Sequence, residues 1–363
     1  MTSTLSMSTE NKIAFISVTK NGKELAFKIK ELLNEGDIFI TEKLFNESID
    51  NEKFKVINGK LGNFTKGLME KYEVLIFIMA TGIVVRSIAS HIKNKFEDPA
   101  ILVIDEKGLN VISLLSGHIG GANEMTNYIS SLIGANPVIT TATDVNGKAS
   151  LDMIAKKLNA YIDNFRENVK DVNYSLVNNK ELGIYIDGNY RVDTRGFITI
   201  KNINEFHRLN NLDKIIYITN KNVTDINDSR IIKVIPRDIV IGIGCRRNTP
   251  YEEIQKALDD LLYKYNIDKK SILKIGSVEV KKDEIGIIEL ARTLNVDFEI
   301  ISLEEIQKVE DKFEKSEFVK KSIGVYSVAE PVAYLLSNRN LIVKKHKYKG
   351  ITFSIGRLDI WFM

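Results

Sequence analysis

Short apolar runs alternate with helical patterns along most of the chain, which predicts an α/β protein. Residues 13–18 form the first buried-type strand, and Gly22 marks the turn after it. Leu25, Ile29, Leu32 and Leu33 then recur at helical spacing and predict a helix over 23–33. A second apolar run covers 74–79, followed by the Thr81-Gly82 break and a helix over 83–92 with Val84, Val85, Ile88 and Ile92 inward. Residues 101–104 and 109–115 flank Asp105-Glu106-Lys107-Gly108, a hairpin pattern. Ser116-Gly117-His118-Ile119-Gly120-Gly121 follows, then a helix from Ala122 with Met125, Ile129, Leu132 and Ile133 on one face and Gly134 as its stop. A strand resumes over 137–141. Strand, glycine loop, helix and strand make a βαβ unit, and with it a parallel pair.

The texture changes after Thr143-Asp144. A helix is expected over 151–162, but 164–195 is polar and Asn-rich, with only a short strand signal at 182–186. Better strands cover 215–219 and 231–235. From Asp238 the alternation sharpens again. A buried strand over 239–243 leads to Gly244-Cys245-Arg246-Arg247-Asn248. Thr249-Pro250-Tyr251-Glu252 reads as a capping box with proline at the first helical position. Ile254, Ala257, Leu258, Leu261 and Leu262 supply that helix's buried face. A strand over 273–278, a helix over 283–294 and a strand over 298–302 follow, and 341–345 and 351–355 close as a hairpin around Lys349-Gly350. The expected architecture is multi-domain α/β. Three-layer α/β/α domains over 1–142 and 238–363 flank a smaller α/β middle module over 143–237.

Composition narrows the classes. With 363 residues, two to three domains are expected, and 44% hydrophobic against 27% charged residues suits globular cores. Lys plus Arg number 51 against 48 Asp plus Glu, a net charge of +3, too even to indicate a nucleic-acid or membrane surface. The single cysteine, Cys245, excludes an internal disulfide framework and a thiolate cluster, and fits a reducing cytoplasm. Four histidines, at 91, 118, 207 and 346, never form a helical ligand pair, so no protein-held metal is expected. Residues 1–10 lack a signal-peptide pattern and read as a loose tail. The longest apolar run, 74–80, falls far short of the ~20 residues of a membrane span, so a soluble protein is expected.

Three glycine-containing loops each stand between a buried strand and a helix start, the place where open α/β sheets bind ligands. The richest is Ser116 to Glu124. Ser116, Gly117, Gly120 and Gly121 would let a ligand approach the backbone, His118 suits proton transfer, and Asn123 and Glu124 would cap the helix or face a ligand. Equally, the glycines could only make the turn. Thr81, Gly82 and Arg86 form the second loop, where Arg86 would grip a carboxylate or lie in solvent. Cys245, Arg246 and Arg247 form the third; paired arginines suit several carboxylates, and the thiol reads as a small buried group. Glu330, before Pro331, reads as a helix-capping carboxylate. Neither a Walker loop nor a dinucleotide fingerprint is present.

The series ATGIVVR (80–86), LLSGHIGGAN (114–123), TTATD (140–144), GIGCRRNT (242–249) and GVYSVAEPVA (324–333) resembles the CbiG family of the anaerobic cobalamin pathway. One departure is Asn248, where glycine is expected. The resemblance implies hydrolysis of cobalt-precorrin-5A to cobalt-precorrin-5B, with the methylated meso carbon lost as acetaldehyde. It implies water and a cobalt-corrinoid as reactants, contacts with other enzymes of that pathway, and no organic cofactor, since cobalt arrives with the substrate. His118, Glu124 and Glu330 become the acid/base candidates, with oxyanion donors around Gly120 and Gly121. Thr81, Gly82, Arg86, Ser116, Gly117, Gly120, Gly121, Asn123, Thr143, Asp144, Cys245, Arg246 and Arg247 become the substrate-binding set. The competing class is a non-catalytic corrinoid carrier, which would use the same arginines but release no acetaldehyde.

Overall fold

A computed structural model of the chain describes residues 12–47, 51–202, 206, 209, 211–223 and 228–359. The tail expected over 1–10 lies outside the described residues. The chain divides into two units, Met1–Gly147 and Lys148–Met363.

The first unit is built on a seven-stranded sheet. Its strands are β1 (Ile13–Ser17), β2 (Asp37–Ile40), β3 (Lys55–Val56), β4 (Val74–Ile78), β5 (Ala100–Ile104), β6 (Asn110–Leu115) and β7 (Asn136–Val138). Their order is β3-β2-β1-β4-β5-β6-β7. Side-chain alternation along β1 and β4 sorts the core into two layers. Phe15, Ile76 and Ile78 pack with Ala26, Ile29 and Ile129 of the helices Lys20–Leu33 and Ala122–Ile133. Ile16, Leu75 and Phe77 pack on the other face with Leu68, Val84 and Ile88 of the helices Leu61–Lys71 and Thr81–Ile88. The three-layer arrangement therefore follows from strands buried on both faces.

Several local expectations change. The first helix begins at Lys20, because Thr19 Oγ1 accepts the Gly22 N–H and caps it, and Leu32 is exposed. The helix expected over 83–92 runs Thr81–Ile88, and Val85 and Ile92 face solvent while Val84 and Ile88 are buried.

All neighbouring strands are parallel except β5 and β6, where Ile101 pairs with Leu115 and Ile104 with Val111. The turn that reverses the chain is held by Asp105. Its carboxylate accepts the N–H groups of Lys107, Leu109 and Asn110, and Gly108 takes a left-handed φ of 68°. Burial alone would raise the Asp105 carboxyl, but these donors outweigh it and hold the group below its ordinary value.

In the second unit, β8 (Leu182–Ile186), β9 (Phe197–Ile200), β10 (Lys214–Ile218) and β11 (Ile231–Val234) form a parallel sheet in the order β11-β10-β8-β9. The helix expected over 151–162 ends at Lys157. The Asn-rich stretch contains a helix, Phe165–Val177, whose Val169, Val172 and Leu176 are buried; three apolar positions among polar neighbours suffice for one face. A second, mixed sheet follows, with β12 (Ile239–Cys245), β13 (Ile272–Val278), β14 (Asp297–Ile301), β15 (Leu341–Tyr348) and β16 (Ile351–Arg357) in the order β14-β13-β12-β16-β15. Helices Tyr251–Lys264 and Ile285–Leu294 cover one face, and Ala329–Leu336 covers the other.

The capping box expected at Thr249 is absent. Pro250 is the N-cap, and the Thr249 hydroxyl donates instead to the Arg246 carbonyl. A capping box does form at Ser302 and Glu305. At Gly242 the helix Ala329–Leu336 lies directly on the strand, and an added Cβ would stand 2.1 Å from the Ala329 carbonyl oxygen. Asp238, fully buried ahead of β12, accepts from Tyr190 Oη at 2.9 Å, Asn220 Nδ2 at 3.0 Å and Arg357 Nε at 2.7 Å. It thereby joins the two sheets of this unit.

Two outcomes follow. Asp105→Ala destabilises the first unit by roughly 1–2 kcal/mol in urea titrations at neutral pH. Because the folded-state value is depressed, that difference is full above about pH 4, the unfolded value, and fades as pH falls through the lower folded value. Gly242→Ala destabilises the second unit by about 1–3 kcal/mol, since the obstacle is backbone; an unchanged midpoint would refute the close approach.

Candidate functional site

β6 and β7 are parallel neighbours joined by the helix Ala122–Ile133, so the loops that follow them leave the sheet at the same end. That is why the glycine loop and the 139–145 segment meet. His118 Nε2 lies 2.7 Å from Asp144 Oδ2 and 3.0 Å from Thr143 Oγ1. Asn123 Nδ2 donates at 3.0 Å to both Asp144 Oδ2 and Thr141 Oγ1. Asn123 Oδ1 in turn accepts the Ser113 hydroxyl at 2.6 Å. The His118 side chain is 16% exposed, covered enough to be held and open enough to meet a substrate.

The loop's glycines have definite tasks. A Cβ on Gly117 would strike Asn123 Oδ1 at 2.6 Å, and one on Gly120 would strike Ser116 Cβ at 2.4 Å. Gly121 takes φ 87° as the helix N-cap. The N–H groups of Gly121, Ala122 and Asn123 close on the carbonyls of His118, Ser116 and Gly117. The expectation of an oxyanion donor at Gly121 is thus corrected: its N–H is engaged within the turn. Ser116, itself at φ 57°, keeps a buried hydroxyl oxygen without a partner among the described residues. Glu124 is exposed in the first helical turn, one residue beyond the network.

The second loop does not join this cluster. Val74 pairs with Ala100 and Ile78 with Ile104, whereas Leu115 lies beside Ile101. Thr81, Gly82 and Arg86 therefore follow the Ile104 end of β5, and His118 follows the Ala100 end, roughly 16 Å away along a five-residue strand. The antiparallel direction of β6 is the reason. The rule that ligands sit at carboxyl ends assumes strands that all run one way.

In the second unit a cleft of about 800 Å³ opens beside the loop after β12. Arg246, Arg247, Lys281, Lys315, Lys345 and Lys347 line it, against one acid, Glu314. Phe318, Val319, Ile323, Tyr326 and Val328 give it an apolar wall, and Phe318 is 77% exposed. Glu314 reaches Lys345 Nζ at 2.8 Å and Lys347 Nζ at 3.5 Å. Hydrogen bonding from Lys345 holds the Glu314 carboxyl below its usual value.

The arginine loop is fixed by Glu284, only 1% exposed, which accepts the Asn248 N–H and Lys281 Nζ. Asn248 adopts φ 56°, so asparagine fulfils the left-handed turn where glycine was expected. Arg247 donates to Asp283 Oδ1 at 2.6 Å and to the Val280 carbonyl at 2.8 Å, which ties it to the protein. The Cys245 thiol is pushed up by burial, the setting of an inert thiol. Glu330 is buried and accepts the Lys345 N–H at 3.0 Å, satisfying a donor where the β15–β16 register shifts. That partner gives it a structural task.

Lys281, Lys345, Lys347, Phe318 and Tyr326 were not foreseen. The two strand lysines left a readable signal, since Lys345 and Lys347 alternate along β15 and so share one face. Among the described residues, no three His, Cys, Asp or Glu side chains gather to hold a metal ion, and no helix is long and apolar enough to cross a membrane.

Comparison with known proteins bears on all three parts of the chain. The family profiles for the cobalamin synthesis G N-terminal region, the cobalamin biosynthesis central region and the cobalamin synthesis G C-terminus match residues 63–144, 149–235 and 239–356. A cobalt-precorrin-5A hydrolase of Salmonella typhimurium is 39% identical over 95% of this chain and 97% of its own. The protein of the same name from Priestia megaterium is 30% identical over 94% of each chain. A solved homologue of cobalamin biosynthesis protein G from Sulfolobus solfataricus is 24% identical, covering 96% of this chain and 97% of its own at a TM-score of 0.41. With the match running through every part of the sequence, the chain belongs to the CbiG family of cobalamin biosynthesis.

Proposed function

We propose that this chain hydrolyses cobalt-precorrin-5A to cobalt-precorrin-5B, opening the lactone and releasing the methylated meso carbon as acetaldehyde. The observation that carries this is near-full-length identity to relatives named for that hydrolase. The cleft adds independent chemical support. A flat macrocycle fringed with carboxylates calls for an apolar wall and several cations, and six basic residues face one acid beside Phe318 and Tyr326. Arg246, Lys281, Lys345 and Lys347 are assigned to the substrate's carboxylates. Arg247, already paired with Asp283, supports the loop.

Chemically, water adds to the lactone carbonyl while a base takes its proton, and the acyl C–O bond breaks to leave a carboxylate and a hydroxyl. Loss of the hydroxyl proton then expels the carbinol carbon as acetaldehyde. The C–C bonding pair passes to the conjugated macrocycle and its cobalt, so no organic cofactor is assigned. His118 is assigned as the base, with Glu124 on the adjoining helical turn as its alternate. Ser116, Gly117 and Gly120 shape the backbone beside it. Thr81, Gly82 and Arg86, at the other end of the sheet, receive no part in this step.

Oxygen-free incubation with cobalt-precorrin-5A should yield acetaldehyde and a product of correspondingly lower mass; a bound but unchanged chromophore would instead mark a carrier. His118→Ala should lower kcat by at least about 100-fold while the chain stays folded. Lys345→Ala should raise KM about tenfold with kcat nearly unchanged, as the loss of one charge-assisted contact predicts.

A further inference from the structure

The geometry points to Asp144 as a positioning residue: it fixes the protonation pattern of the His118 ring and is itself aimed by Asn123 and Ser113. This rests on the reading of His118 as the base and adds a means by which that base is set.

His118 Nε2 and Asp144 Oδ2 are 2.7 Å apart. An ionised carboxylate only accepts, so at that distance the proton must sit on Nε2. Thr143 Oγ1, 3.0 Å away, shares the same edge of the ring. A neutral imidazole with its proton on Nε2 carries its basic lone pair on Nδ1. When the ring gains a second proton, the adjacent carboxylate stabilises the resulting cation, as a buried acid does for histidine in hydrolytic triads.

Asp144 cannot hold that position unaided. Its side chain is 41% exposed, on a four-residue helical turn. A buried partner supplies the constraint. Asn123 is 5% exposed and gives one amide proton to Asp144 Oδ2 and the other to Thr141 Oγ1. The amide's orientation follows from Asp144, whose ionised carboxylate only accepts and so must face the NH₂ end, and Ser113 completes the arrangement by donating its hydroxyl to Asn123 Oδ1. Both donors come from elements already set by the fold, since Ser113 lies on β6 and Asn123 in the first turn of the helix after it. The chain Ser113–Asn123–Asp144–His118 thus runs from the sheet to the imidazole. It also accounts for Gly117, where any side chain would displace the Asn123 amide.

The test uses the full-length chain labelled with ¹⁵N-histidine. The His118 signal is assigned among four histidines by its loss in His118→Ala. The wild type should show a proton-bearing Nε2 and an unprotonated Nδ1 above the ring's titration range. Asp144→Asn should lose that pattern, and Asp144→Glu should restore part of it. With cobalt-precorrin-5A, Asp144→Asn should lower kcat by about 10²–10⁴-fold with KM changed far less. Ser113→Ala should give a smaller loss in the same direction. In a His118→Ala background, Asp144→Asn should produce no further loss, because its effect passes through the ring.

An Asp144→Asn spectrum identical to wild type would overturn the inference. So would an equal rate loss from Asp144→Asn with and without His118. The spectroscopic arm needs no substrate, so a wild type inactive on cobalt-precorrin-5A would remove the hydrolase reading alone. The assignment of Asp144 would still stand or fall by its own spectrum.

Discussion

The reversal of β6 against β5 governs what the first unit can assemble. Had β6 run parallel to its neighbours, the glycine loop would leave the sheet beside the loops after β1 and β4. Instead a five-residue turn, locked by one carboxylate accepting three backbone N–H groups, sends it to the other end. β7 follows β6 in parallel register, so its loop is delivered to the same place. A histidine from one segment and an aspartate from the other, 26 residues apart, come within hydrogen-bond distance without any long excursion of the backbone. Strand direction thus decides which motifs share a site and which do not.

The second unit solves a different problem, that of keeping many like charges close together. Six basic side chains around one cleft repel one another, and the fold contains them in three ways. Lys281 is buried against Glu284, Arg247 is bound to Asp283, and Lys345 and Lys347 share Glu314. The first pairing is built into the loop, with Glu284 also gripping the backbone of Asn248, whereas Arg247 and Asp283 meet on the surface. In the third, Lys345 is largely covered while Glu314 and Lys347 are exposed, so the carboxylate is easily exchanged for another. The cleft therefore combines a rigid cationic floor with an adaptable rim.

Much of this was legible in the sequence where burial is two-sided or a single φ dictates a residue. Continuous apolar runs announced β1, β4, β5 and β12, and the glycine loop with its helix was placed correctly because Gly121 and Gly134 take the left-handed conformations that glycine permits. What failed was whatever depends on neighbours not visible in one dimension. The helix Phe165–Val177 hides behind polar residues because only Val169, Val172 and Leu176 face the core. Val85 and Ile92 look buried and are exposed, since hydrophobicity alone cannot tell a core face from an uncovered one. At the candidate site, His118, Asn123, Thr143 and Asp144 were all readable as polar groups in glycine and threonine motifs. Their division of labour was not, because it rests on which nitrogen meets which oxygen. Lys345 and Lys347 could have been found by following alternation along β15.

Asp238 makes the two modules of the second unit depend on each other. Its carboxylate is sealed from solvent and takes donors from the middle sheet's neighbourhood, through Tyr190 and Asn220, and from Arg357 at the end of the chain. Either module, if lost, would leave the remaining one with stranded polar atoms in what had been its interior. The shared anion thus ties the stability of each module to the presence of the other.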